Sequence, residues 1–107
     1  MDERPIVAAA GLRRRLFGLA LRRQQPDHAL LIPNCRSVHT FGMRFPLDLI
    51  WLDQFGDVLA VDERIPPQRV RSLRAATAVI ETPAGGGEQL AVAWERRSQA
   101  YRKAALE

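Results

Sequence analysis

Between Pro46 and Gly56 the chain reads PLDLIWLDQFG. This run constrains the fold more than any other. Leu47 to Asp53 is short and rich in branched and aromatic side chains, and it is bounded by proline on one side and a Gln54-Phe55-Gly56-Asp57 turn on the other. It is the strongest strand signal in the sequence. Val58 to Arg64 returns as the second arm of a hairpin, and Ile65-Pro66-Pro67 ends that arm, because proline has no N–H to give a ladder.

Shorter strands are expected on either side. Ala29 to Ile32 is apolar and stopped by Pro33-Asn34, while Arg36 to Phe41 carries the β-branched Val38 and Thr40. Gly42 to Pro46 can turn the chain, which would make Arg36 to Asp48 a hairpin. Gln68 to Arg74 is polar and reads as a loop, Thr77 to Thr82 as a strand, and Pro83 to Gly87 as a flexible turn before a last strand, Leu90 to Trp94. Two helices complete the pattern. Ala8 to Arg23 lacks proline and puts Leu12, Leu16, Leu19 and Ala20 on one face, and Glu95 to Glu107 suits an exposed helical tail.

The 107 residues suffice for one domain with a single core, expected over residues 11–94 with 95–107 as the tail. Cys35 is the only cysteine, which rules out an intrachain disulfide. The acids Asp2 and Glu3 lead the chain, and three arginines close its first apolar run, the reverse of a secretory signal. No segment approaches a membrane span, so the sequence as given reads as cytoplasmic. The net charge of +4 permits attraction to phosphate. Fifteen of the sixteen basic residues are Arg in an Ala-rich chain, a skew that a GC-rich genome also produces.

The chemistry-bearing residues are concentrated in CRSVHTFGMRFPLD, Cys35 to Asp48. A Cys35–His39 dyad would need its sulfur and ring nitrogen within hydrogen-bond reach, and on a strand the two lie about 13 Å apart. Cys35, His39 and Met43 are spaced like a blue-copper loop, but an extended strand spreads them, and the second histidine such a site needs has only His28 as a candidate. No metal or other cofactor is therefore expected. Asp48 stands between leucines at the head of an apolar strand and needs a partner, whether His39, Arg44 or a loop amide. It reads either as a buried clamp fixing the turn or as the group that orients His39 for acid–base work. Arg36 and Arg44 beside His39 could receive a carboxylate or phosphate. The glycine run at 85–87 lacks the Lys and Ser/Thr of a phosphate loop.

CRSVHTFGMRFPLDLIWLD, then FGDVLAVDERIPP, then AATAVIETPAG resembles the small bacterial and archaeal domain-of-unknown-function family DUF192 over roughly Gly11 to Gly85. The resemblance implies a compact, mostly β, barrel-like domain with little helix, and it implies no reaction. Such domains usually close with a further Gly-Asp element, whereas here the glycines lead into LAVAWERR and an Arg-rich tail.

The sequence thus points to a mainly β (α+β) barrel-like domain of short antiparallel strands with an N-terminal and a C-terminal helix. The expected role is a non-catalytic binding module that takes an anionic small molecule or protein partner at Arg36, His39, Arg44 and Asp48. The alternatives are an acid–base or hydrolytic enzyme using His39 and Asp48, and nucleic-acid association through the Arg-rich surface.

Overall fold

The structure, a computed structural model, describes residues 4–9 and 28–106. Among these residues, seven strands and one helix follow in chain order: β1 (Ile6–Ala8), β2 (Ala29–Pro33), β3 (Ser37–His39), β4 (Leu47–Leu52), β5 (Val58–Ile65), β6 (Val70–Ser72), β7 (Ala78–Pro83) and α1 (Gly87–Leu106). Five strands form one sheet in the order β1-β2-β7-β4-β5, and β3 pairs with β6 in a separate ribbon. Only β1 and β2 run parallel; the other pairs are antiparallel.

The run LDLIWL is buried at every position because β4 has a strand on each side and a layer on each face. Leu47, Leu49 and Trp51 pack to one face with Val38, Met43, Phe45, Ile65 and Ala76, beneath the ribbon and its flanking loops. Ile50 and Leu52 pack to the other face with Ala29, Ile80, Leu90 and Ala91, beneath α1. The ribbon and the helix therefore lie on opposite sides of the sheet.

The β4–β5 hairpin forms as expected. Asp53 Oδ1 accepts from Phe55 N at 2.8 Å and from Asp57 N at 2.9 Å, and Gly56 supplies the positive φ of 86°. Near its far end, three residues of β4 (Leu47 to Leu49) oppose four of β5 (Asp62 to Ile65), a bulge that holds Arg64 at φ 55°.

Four expectations are corrected. Arg36 to Asp48 is not a hairpin, because β3 pairs with β6 and β4 pairs with β5 and β7. The polar run Gln68 to Arg74 contains a strand, β6, whose Val70 and Arg71 match β3. Leu90 to Trp94 is helix, since Leu90, Ala91 and Trp94 pack at helical spacing against the sheet. No barrel closes among the described residues: β1 and β5 are the edges of an open sheet. The helix expected from Ala8 to Arg23 falls almost wholly outside the described residues, and Ala8 itself belongs to β1. Among the described residues, no helix is long and apolar enough to cross a membrane.

Candidate functional site

The residues singled out in Cys35 to Asp48 divide between the two sides of the sheet. Asp48 heads β4 on the helix side and is 0% exposed. Its Oδ1 accepts from Arg64 N at 2.8 Å, and its Oδ2 from Gly85 N at 3.0 Å and Gly87 N at 2.9 Å. The bulge releases the Arg64 amide from the ladder, and the carboxylate takes it. The other two amides belong to the glycine run, so Asp48 caps the N-terminus of α1 from a distant strand. Its partners are therefore backbone amides of the β5 bulge, the glycine turn and the first residue of α1, and neither His39 nor Arg44.

Arg4 fixes the same corner from outside. Its guanidinium donates to Thr82 Oγ1, to Pro83 O at 2.9 Å and to Gly85 O at 3.4 Å.

His39 lies on the ribbon, on the other side of the sheet, so the structure does not bring it together with Asp48. It sits opposite Val70 and is exposed, with its ring 5.6 Å from that of Phe41 at 30°. Beside it, Ser37 and Ser72 face each other with their hydroxyls 3.0 Å apart. Thr40, which is buried, closes this end of the ribbon: its Oγ1 donates to Pro66 O at 2.7 Å and accepts from Arg69 N at 2.9 Å. Phe41 follows immediately and is 51% exposed, and Val70 is 54% exposed.

Cys35 and Met43 do not join His39. Met43 is buried in the core, and Cys35 is half-buried with its thiol donating to Ser37 O at 3.3 Å. Burial pushes the Cys35 thiol above its usual pKa, with a further rise from the negative charge of Glu81 and a partial offset from hydrogen bonding to the Ser37 backbone. Among the described residues, no three His, Cys, Asp or Glu side chains gather in a way that could hold a metal ion.

Arg36 and Arg44 are exposed. Leu73 N donates to Arg36 O at 2.9 Å and Thr40 N to Arg69 O at 2.8 Å, so Arg36 comes beside Leu73-Arg74 and Arg69 beside Thr40-Phe41. Neither of the two segments that build the ribbon, residues 34–46 and 66–77, contains an Asp or a Glu. They carry Arg36, Arg44, Arg69, Arg71 and Arg74. In sequence, Arg69, Arg71 and Arg74 fall in the polar run Gln68 to Arg74 that reads as a loop. The signal that could have found them is the lack of acids over 64–80 together with the β-branched Val70 between two arginines.

On the helix side, Phe55, Gly56, Trp94, Arg97, Ser98 and Tyr101 line an open groove of about 250 Å³. Trp94 Nε1 donates to Gly56 O at 2.7 Å, joining α1 to the hairpin turn.

Two solved structures share the fold. One is a protein of unknown function from Novosphingobium aromaticivorans DSM 12444, with TM-score 0.66 and 17% identity over 79% of this chain and 66% of its own, just under two thirds of its length. The other, from Sinorhizobium meliloti 1021, is provisionally described as a transcription regulator; its TM-score is 0.67, with 25% identity over 79% of this chain and 72% of its own. Comparison with curated proteins finds no match. The profile of the uncharacterised ACR family DUF192 matches residues 5–99, nearly the whole chain, and the protein belongs to that family.

Proposed function

We propose that this protein is a non-catalytic binding module and that the β3–β6 ribbon is its binding face. The ligand is an anionic group, phosphate or carboxylate, on a small molecule or protein partner. Arg36, His39 and Arg44 are three of the four binding residues expected from sequence, Asp48 being the fourth, and Arg69 and Arg74 extend the face they would form. The observation that carries this reading is the charge of the ribbon: Arg36, Arg44, Arg69, Arg71 and Arg74, and no acid, in residues 34–46 and 66–77, the segments that build it. Among the described residues, Arg36, Arg44 and Arg74 are held in no ion pair, so their charge is available to a ligand. Asp48 contributes through the scaffold, by holding the sheet corner and the helix start.

An acid–base enzyme using His39 and Asp48 has less support, since the two side chains lie on opposite faces of the sheet. Nucleic-acid association has a specific observation in its favour: the S. meliloti fold relative is provisionally described as a transcription regulator. An acid-free basic face suits the phosphates that such a protein meets.

Thermal shift tests the anion-binding reading with inorganic phosphate, pyrophosphate and citrate at low and high salt. A ligand at about a thousand times its Kd adds roughly 4 kcal/mol, enough to move Tm by many degrees. The expected result is a shift in the wild type that Arg36→Gln and Arg69→Gln together abolish. No shift with any of these anions, or a shift that the double variant keeps, would remove the ribbon as the binding face.

A further inference from the structure

Charge alone does not account for this face. Beside its arginines the ribbon leaves Phe41 and Val70 about half exposed, with the His39 ring against that of Phe41. A ligand that was only an anion would leave this apolar surface in water. Thr40 fixes the exit of β3 through two hydrogen bonds, and the chain turns outward directly after it at Phe41-Gly42, where Gly42 has φ 83°. The ring is thus presented by an anchored backbone.

We infer that the ribbon binds single-stranded nucleic acid, with a base stacked on the Phe41–His39 rings beside Val70 and the flanking phosphates on Arg36 and Arg74 at one end and Arg69 at the other. The inference rests on the anion-binding face proposed above and replaces its small-molecule or protein ligand by the phosphates of a nucleic acid, the second reading given there. A base is flat, apolar on its faces and joined to an anion, and stacking on an aromatic side chain suits any base. A duplex already stacks its bases internally and would leave Phe41 uncovered. An acidic peptide would satisfy the arginines, but it brings no flat ring as a regular part of its chemistry.

Fluorescence anisotropy at low salt tests this with four probes: a labelled oligothymidylate of about 12 nucleotides, an abasic strand of the same backbone, a duplex of the same length and an oligoglutamate. The oligothymidylate is expected to bind tightest. Phe41→Ala should lower that affinity about tenfold and leave the abasic strand unchanged, and Phe41→Tyr should retain it. Arg36→Gln should weaken both strands and reduce the salt slope by about 0.7. Equal binding of the abasic strand, with no effect of Phe41→Ala, would overturn base stacking and leave the anion reading intact. Tighter binding of the duplex or the oligoglutamate would overturn the single-strand inference in favour of that partner. If none of the four probes binds, both readings fall.

Discussion

A β-carbon placed on Gly87 would lie 2.7 Å from both Cβ and Oδ2 of Asp48. The helix begins at glycine because a side chain from another strand occupies the space that a side chain of its own would need. Gly87 has no positive φ, so its requirement is one of room and not of backbone freedom. Gly87→Ala is expected to cost about 1–3 kcal/mol through overpacking, read as a lower urea midpoint at unchanged slope.

The Asp48 carboxylate should matter more than its neighbour's size. Asp48→Asn keeps the volume but turns an amide donor toward backbone donors. The expected loss is about 2–4 kcal/mol, from charge-assisted hydrogen bonds removed inside the fold. Equilibrium unfolding measures it, and a loss below about 0.5 kcal/mol, the range of an ordinary surface change, would contradict the clamp.

Thr40→Val replaces a buried hydroxyl by a methyl group of similar size. Pro66 O and Arg69 N lose their Oγ1 partner, and the expected cost is about 1–3 kcal/mol. Amide exchange at residues 68–70 should quicken in the variant more than exchange in β4.

Cys35 gives a pH dependence with a definite sign. Its thiol keeps its proton to higher pH in the folded chain than in the unfolded one, so the native state binds more protons across that window and stability falls as pH rises through it. The contribution is complete below the ordinary thiol value, about 8.5, and is lost as pH climbs through the folded value. Urea midpoints taken from about pH 7 to about pH 10 should decline in the wild type and flatten in that window in Cys35→Ala.

The Arg102–Asp57 ion pair, at 2.6 Å, joins two side chains that are each 43% exposed. Asp57→Asn should change stability by less than about 1 kcal/mol, as is usual for solvated pairs. A larger loss would mean that Asp57 acts on the turn through more than its charge.

Much of the β4–β5 hairpin was legible because LDLIWLD, its turn and Pro66-Pro67 carry local signals. The ribbon was not, because β3 and β6 are three residues each and find each other across more than thirty residues of chain. Short polar strands such as Val70 to Ser72 have too little periodicity to stand apart from a loop. The glycine run was misleading for another reason: its amides are satisfied by a carboxylate nearly forty residues earlier, so a stretch that reads as flexible begins a helix. In the candidate site, the residue types at 36, 39, 44 and 48 drew attention, but which side of the sheet each faces depends on pairings that only the fold reveals. The partners of Asp48 are backbone N–H groups, which no residue type announces.

Strand β7 lies between β2 and β4, yet it is the last strand in the chain. During synthesis the β4–β5 hairpin can zip up as soon as it emerges, whereas β2 waits for a neighbour that the ribosome has not yet made. Until residues 78–83 are out, the apolar faces of both pieces are open to the surroundings, and assembly is gated by the arrival of one late segment. A chain whose residues 78–83 have not yet emerged would therefore be a client for chaperones, while one with β7 free of the ribosome could already close its sheet.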